Sequence, residues 1–373
     1  MRSIYIHIPF CLKKCGYCDF VSFEPEPPRR AGVVAPYDAE YTNCLINEIK
    51  SYKKRLENYI FDTVYIGGGT PSVIEAGLIC DVLNAARESM SLAENCEITI
   101  EINPSSVNAE KIQAYKNAGV NRFSVGLQTV YDKELEFLGR LGGVKQFEDT
   151  AKLLKNTNFS CDVLIGIENQ TAEKVYNTIQ KAIDCGAKHV SLYALKPEKG
   201  TPLWKKRRKL PDDDCVADLY YKAVSYLKER GFKRYEISNF CLDNYQSKHN
   251  LNYWKRGEYI GFGVAAHSFL GGERFANTCG LNEYILSGGL NVVKERNVLT
   301  AEDKRFEAIM LSLRLSGGLD INKFNAEFNC DFYSEYKIAL EKVKNYVIID
   351  NGFLIIKDEY FYVQNSIVLE FMK

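Results

Sequence analysis

The sequence predicts an α/β fold in which parallel strands are covered by helices. Three observations carry that expectation: short β-branched segments recur through the first 200 residues, each is followed by a turn, and a helix-periodic stretch then leads to the next. The expected strands are SIYIHI (3–8), DTVYIG (62–67), CEITIEI (96–102), RFSVGL (122–127), CDVLIGI (161–167) and HVSLYAL (189–195). Helices are expected between them, near 37–55, 73–90, 106–118, 143–156 and 172–186. Phe147, Leu153 and Leu154 give the fourth of these only a loose apolar face. Alternation alone fits an open doubly wound sheet and a barrel equally, because both bury parallel strands beneath helices. In either architecture, ligand-binding groups converge at the carboxyl ends of the strands.

After residue 200 the rhythm changes. WKKRRK (204–209) and PDDDC (211–215) form a charged break before a helix around 216–230, with KKRRK read as a solvated surface run. A Tyr-, Asn- and Gly-rich stretch over 235–290 reads as loop-heavy. From 301 the pattern is mostly helical, and GFLIIKDEYFYVQN (352–365) reads as two short strands around a Lys-Asp-Glu turn. Helices followed by a hairpin give a small α+β, winged-helix-like C-terminal domain, a shape that does not by itself imply DNA binding. The expected division is 1–230, an accessory segment 231–298, and 299–373.

Composition narrows the function classes. The 48 basic and 48 acidic residues cancel, leaving no global field to recruit nucleic acid or an anionic membrane. Polar residues interrupt every apolar run before it reaches spanning length, and Met1–Phe10 leads into strand alternation rather than an export signal, so a cytoplasmic protein is expected. Most of the 12 cysteines should then be thiols. Nine of them (Cys44, Cys80, Cys96, Cys161, Cys185, Cys215, Cys241, Cys279 and Cys330) lack recurring spacing and read mostly as small buried hydrophobes.

The other three, Cys11, Cys15 and Cys18, are spaced C-x3-C-x2-C in FCLKKCGYCDF (10–20). Structural zinc wants four ligands in two separated pairs, and no second pair follows. A [4Fe-4S] cluster on three thiolates would keep one iron open to an outside ligand; thiol redox chemistry and purely structural cysteines are the alternatives. The triad follows the first strand and Pro9 directly, so it belongs to a loop at a strand's carboxyl end. IGGGTPS (66–72) occupies the same end of the second strand. Its glycines permit positive φ or close backbone approach, and its N–H groups could receive a carboxylate or phosphate, or it is simply a tight turn. It is neither a phosphate loop nor a dinucleotide fingerprint.

Taken together, YIHIPFCLKKCGYCDF, GGGTPS, EINPSSV and GVNRFSVGLQTVYDKELEFLGR resemble the radical S-adenosylmethionine (SAM) enzymes of the coproporphyrinogen group, over nearly the whole chain. The resemblance implies an incomplete six-stranded (β/α)6 barrel, with Cys11, Cys15 and Cys18 on [4Fe-4S] and the methionine amino and carboxylate groups of SAM on the remaining iron. It implies that Tyr5 and His7 lie near the cluster; the His7 ring could donate to a cluster sulfur or a neighbouring carboxylate, or simply be a strand histidine packed against a loop. Gly68, Gly69 and Thr70 would meet the methionine portion and Glu101 its amino group or the ribose. Gln128 and Arg140 would contact the cofactor and Asp162 the ribose. The chemistry agrees, since amines and diols want carboxylates and a methionine carboxylate wants Arg or backbone N–H. Each residue also has a structural alternative: Glu101 could cap a turn before Pro104, Arg140 form a surface ion pair, and Asp162 cap a helix.

Within this group, the porphyrinogen dehydrogenases carry a further cysteine two positions after the third, and a longer N-terminal segment. Phe20 stands at that position here and the first strand begins almost at once, which points to the haem-chaperone branch. SKHNLNYW (247–254) carries the H-N-x-x-Y-W pattern of that branch, making His249 the candidate haem ligand with Asn250, Tyr253 and Trp254 around it. Cys241 and His267 are weaker candidates with structural roles preferred. The implied function is to bind haem and deliver it to an acceptor, a membrane respiratory protein, with an electron donor as a further partner and no nucleic acid. Porphyrinogen decarboxylation and another tetrapyrrole-modifying radical reaction are the alternatives. One departure stands out: the group's Gly-Leu-Pro-x-Gln-Thr turn after strand five reads GIENQT (166–171) here, where Asn169 can still enter a turn.

Overall fold

The computed structural model describes residues 1–24 and 36–372. Six parallel strands pair in chain order: β1 (Arg2–Ile8), β2 (Ile60–Gly68), β3 (Ser91–Ile102), β4 (Arg122–Gln128), β5 (Asn158–Ile165) and β6 (His189–Ala194). The crossovers carry α1 (Pro36–Ser51), α2 (Ala76–Ser89), α3 (Ala109–Asn117), α4 (Asp132–Leu138), α5 (Val144–Leu153) and α6 (Ala172–Asp184). All six expected strands and the five expected helices are present. Helix α4 was not expected; its seven residues are too few to show a period, and Gly139 ends it in the left-handed region at φ 70°. Strands β1 and β6 do not pair with each other, so the barrel is incomplete.

Side-chain alternation divides these strands between two environments. Ile98, Ile100, Phe123, Val125, Phe159, Cys161, Val163, Val190 and Leu192 point to the helices and form the apolar core. Their neighbours Thr99, Glu101, Arg122, Ser124, Ser160, Asp162, His189 and Ser191 point into the barrel. A closed barrel of this type is ordinarily filled by branched apolar side chains. This one is hollow and polar.

The stretch over 235–290 is not loop-heavy. After α7 (Asp213–Glu229), β7 (Lys233–Arg234) and β8 (Asn239–Cys241) extend the sheet antiparallel beyond β6. Helix α8 (Lys248–Trp254) then leads to β9 (Glu258–Phe262), which pairs parallel with β1. Strands β10 (His267–Leu270) and β11 (Glu273–Asn277), helix α9 (Leu281–Leu286) and β12 (Val293–Val298) complete a 12-stranded sheet. Most of these added strands have five residues or fewer, too short for a period to register, and their pairing with distant strands decides them. The basic run lies in a short 3-10 helix, Pro202–Lys209, with Lys205 to Lys209 exposed as expected.

Residues from 301 onward have their own core around Phe324, Phe332, Leu354 and Phe361. Helix α10 (Ala301–Ser312) precedes a three-stranded sheet of β13 (Leu319–Asp320), β14 (Val347–Asp350) and β15 (Phe353–Ile356). The hairpin turns at Asn351–Gly352, at φ 47° and 83°, not at Lys357-Asp358-Glu359, which opens a 3-10 helix. Asn-Gly is the favoured two-residue hairpin turn because both residues accept positive φ. Ser316 N–H donates to the Tyr235 carbonyl at 3.0 Å and the Arg314 guanidinium lies 5.6 Å from the Trp254 ring centre, joining this unit to the sheet. Among the described residues no helix is long and apolar enough to cross a membrane.

Candidate functional site

The hollow of the barrel is a cavity of about 590 Å³ that opens at the carboxyl ends of β1–β6. Cys11, Cys15 and Cys18 line it, all as free thiols. Their loop is held on three sides by backbone hydrogen bonds: Phe23 N to Pro9 O at 2.7 Å, Gly16 N to Leu138 O at 2.8 Å, and Leu203 N to Gly16 O at 2.7 Å. Among the described residues no three His, Cys, Asp or Glu side chains converge closely enough for a single metal ion. Cluster thiolates each bind a different iron and need no such convergence. Thr70 Oγ1 approaches Cys11 Sγ at 3.7 Å and Arg140 Nη1 approaches Cys15 Sγ at 3.9 Å, donors that favour thiolate. Burial pushes the Cys11 and Cys18 thiols up, so loading a cluster here releases protons. Three thiols on one loop, with cationic and hydroxyl donors beside the sulfurs, fit a [4Fe-4S] cluster with one iron left open.

The glycines of the second loop serve packing. At Gly68, φ is 113° and a Cβ would meet the His7 ring at 2.4 Å; at Gly69 a Cβ would meet the Phe10 carbonyl at 2.7 Å. Of the two readings of this loop, its N–H groups follow the tight turn: Gly68 donates to Glu101 Oε2 at 3.1 Å, Gly69 to Ile8 O at 2.9 Å and Thr70 to Phe10 O at 2.7 Å. Gly68, Gly69 and Thr70 nevertheless form part of the cavity wall.

Glu101, Gln128, Arg140 and Asp162 all line the same cavity. Glu101 Oε1 accepts from the Tyr65 hydroxyl at 2.7 Å, so Glu101 does not cap the turn at Pro104. Its carboxyl is pushed up to about 7, chiefly by burial, with Asp162 adding to the rise. Burial likewise lifts Asp162 to about 6 against the Ser191 hydroxyl and the Arg140 charge. Arg140 forms no surface ion pair; Nη2 donates to the Gly126 carbonyl at 2.7 Å. Gln128 is held at φ 70°, a left-handed conformation costly for a side chain bearing a Cβ and characteristic of functional positions.

Tyr5 and His7 lie behind the wall. His7 Nε2 is 2.8 Å from the Val21 carbonyl, an acceptor, so Nε2 carries the proton and Nδ1 accepts from Tyr5 at 2.9 Å. His7 thus anchors the end of the cysteine loop and donates neither to a cluster sulfur nor to a carboxylate. Desolvation lowers it to about 4 and keeps it neutral. In the turn after β5, Asn169 takes φ 55° and Gln170 Oε1 accepts from Gly166 N at 2.9 Å, while Glu168 faces Lys209 at 3.8 Å.

The H-N-x-x-Y-W residues separate. Asn250 lines the inner end of the cavity. His249, at 1% exposure, does not: Nδ1 is 2.8 Å from Thr63 Oγ1, Nε2 is 2.9 Å from the Tyr253 hydroxyl, and the ring stacks on Tyr65 at 4.9 Å. Trp254 lies beneath Arg314 at the junction with the C-terminal unit. Cys241 is buried in β8, and His267 is exposed on β10. Sequence reasoning passed over Thr99, Arg122, Ser124, Ser160, His189 and Ser191 in the cavity wall. Their signal was available: polar residues alternate through strands that a filled barrel would make apolar throughout.

A model of the radical SAM superfamily matches residues 5–182, and a model of the HemN C-terminal domain matches residues 299–365. The heme chaperone HemW of Buchnera aphidicola (Acyrthosiphon pisum strain) is 33% identical over 362 residues, covering 95% of this chain and 92% of that protein. HemW of Bacillus subtilis is 33% identical over 365 residues, 94% of this chain and 93% of its own. HemW of Escherichia coli is 35% identical over 319 residues, 84% and 82% respectively. Among solved structures, the radical SAM enzyme coproporphyrinogen III oxidase (HemN) from Escherichia coli superposes with a TM-score of 0.85 over 100% of this chain and 90% of that one, at 18% identity, a likeness of fold.

Proposed function

The chain belongs to the HemW family of the radical SAM superfamily, and from that membership we propose that it is a haem chaperone, not a coproporphyrinogen oxidase. In this reading it holds a [4Fe-4S] cluster and SAM at the carboxyl ends of β1–β6 and passes haem to an acceptor protein. The observation that supports it best is the gathering of Cys11, Cys15 and Cys18 with Gly68, Gly69, Thr70, Glu101, Gln128, Arg140 and Asp162 around one cavity.

When bound, the cluster supplies the electron that cleaves the sulfonium carbon–sulfur bond of SAM. The chain's own residues bind and orient. Glu101 and Asp162, as carboxylates, accept from the amine and hydroxyl groups of the cofactor, and Arg140 supplies a cation beside Cys15. Gln128 presents a neutral amide at the same wall. Haem meets Nε2 of His249 only where iron replaces the Tyr253 hydroxyl there, so haem access is coupled to movement of Tyr253. The barrel (1–230), accessory strands (231–298) and C-terminal unit (299–373) divide these tasks, the last closing the open side of the barrel. The protein works in the cytoplasm, with an electron donor, and meets a membrane respiratory acceptor transiently.

Anaerobic reconstitution with iron and sulfide, followed by SAM with haem or coproporphyrinogen III in parallel, tests this. Stable haem binding without decarboxylated porphyrinogen is expected. Decarboxylation of coproporphyrinogen III, with vinyl product seen by mass spectrometry, overturns the assignment.

A further inference from the structure

The inner end of the cavity, away from the cysteines, holds a cation that forms no ion pair among the described residues. Arg122 begins β4, is 2% exposed and lines the cavity. Nη1 of its guanidinium donates to the Tyr245 carbonyl at 3.1 Å and to Asn158 Oδ1 at 3.4 Å; Nη2 is buried and has no partner among the described residues. Neither of those partners carries charge. A guanidinium cannot shed its proton, so a buried one without an anion is costly to fold around.

Two further donors lie beside it. Tyr235 hydroxyl accepts from Ser247 N–H at 3.2 Å and stands 2.8 Å from His189 Nε2. Of those two neighbours only the imidazole can accept the phenolic proton, so His189 is the tautomer with its proton on Nδ1. That Nδ1–H is buried without an acceptor, and the Thr99 hydroxyl is likewise unpartnered. Thr99 is the register partner of Arg122, and His189 is the register partner of Ser160 two strands away. All three side chains line the same cavity. Three unsatisfied groups, one fixed cation and two neutral donors, line this one cavity, and Arg122 forms no ion pair among the described residues.

We propose that Arg122, His189 and Thr99 form a carboxylate subsite at the floor of the barrel and that it receives one propionate of haem. The inference rests on the haem-handling reading above and adds to it the group that is recognised and where. A planar carboxylate matches the fork of a guanidinium and accepts from the imidazole and hydroxyl donors at once. The acids of the cavity, Asp19, Glu101 and Asp162, stand toward the cysteine end, so the carboxylate of one ligand and the amine of another are sorted to opposite ends of one hollow.

The test compares haem with haem dimethyl ester, whose propionates are uncharged, on the anaerobically reconstituted full chain saturated with SAM. Bound tetrapyrrole is quantified as the pyridine haemochrome after ultrafiltration. The wild type is expected to bind haem about tenfold or more tightly than the ester, and Arg122→Gln to erase that difference while leaving ester affinity and SAM affinity unchanged. Equal affinity of the wild type for haem and ester overturns the subsite while leaving haem handling intact, and it does so without any variant having to fold. Discrimination that survives Arg122→Gln moves propionate recognition elsewhere and also overturns it, as does a loss of SAM affinity equal to the loss of haem. Binding of neither tetrapyrrole by the wild type removes both the subsite and the haem-handling reading.

Discussion

The Tyr253 hydroxyl sits 2.9 Å from Nε2 of His249, one helical turn earlier, and Thr63 Oγ1 stands 2.8 Å from the other ring nitrogen. Thr63 donates its own proton to Ser3 Oγ at 2.8 Å, so it accepts from Nδ1–H, and Nε2 keeps a lone pair under the Tyr253 phenol. The imidazole is therefore in the state that ligates iron, with a hydroxyl over the ligating atom. Tyr253→Phe is expected to tighten haem binding several-fold, and His249→Ala to weaken it about tenfold. Haem titration of both variants, with the iron–sulfur absorption as internal control, checks this. Unchanged affinity in both would place iron ligation on another residue.

Under the proposed function, the two raised carboxyls should make SAM binding pH-dependent. Glu101 at about 7 and Asp162 at about 6 hold protons in the free native protein that the unfolded chain would release. Their contribution to stability is thus present below the ordinary carboxylate range and is lost as pH rises through about 6 to 7. In the proposed role they accept from SAM as carboxylates, so its affinity should climb over that same interval and level off above it. Calorimetric titration at a series of pH values measures the slope. Glu101→Gln combined with Asp162→Asn should flatten it; a flat wild-type profile would exclude these two as the acceptors.

Cluster and haem determinants should separate. Replacing any one of Cys11, Cys15 and Cys18 by Ala is expected to abolish stoichiometric iron and sulfide, while haem affinity stays within about twofold of wild type. Cys161→Ala, in the apolar face of β5, should keep its iron. Iron and sulfide assays beside haem titration report both properties on one preparation.

The C-terminal unit depends on its own aromatic core. Phe332 is 0% exposed and packs edge-on to Phe324 at 5.2 Å between ring centres. Phe332→Ala should destabilise this unit by about 3–5 kcal/mol. Denaturant unfolding followed by tyrosine fluorescence would show the lower transition, and an unchanged midpoint would mean that the unit's stability comes from its contacts with the sheet.

Much of this site was legible in the sequence because it depends on local order. The three cysteines and the glycine loop follow predicted strands directly, so the carboxyl-end rule places them together. The H-N-x-x-Y-W string was only half legible, because it records which residues are near one another but not which face the helix turns to the cavity: Asn250 lines it and His249 is buried beside it. Arg122 and His189 were missed for the opposite reason: they lie 67 positions apart and meet only through the register of three neighbouring strands. The short strands β7–β12 were unreadable because their conformation is imposed by pairing, β9 with β1, β8 with β6 and the rest with these additions, not by their own composition.

Strand β1 lies inside the sheet, between β2 and β9, and Ser3 pairs with Thr63 on one side and Tyr259 on the other. Its second edge is therefore covered only by a segment far along the chain, Glu258–Phe262. The cysteine loop that hangs from β1 thus owes its seat to long-range pairing, so a fault in docking that distant strand would unsettle the candidate cluster site without touching a cysteine.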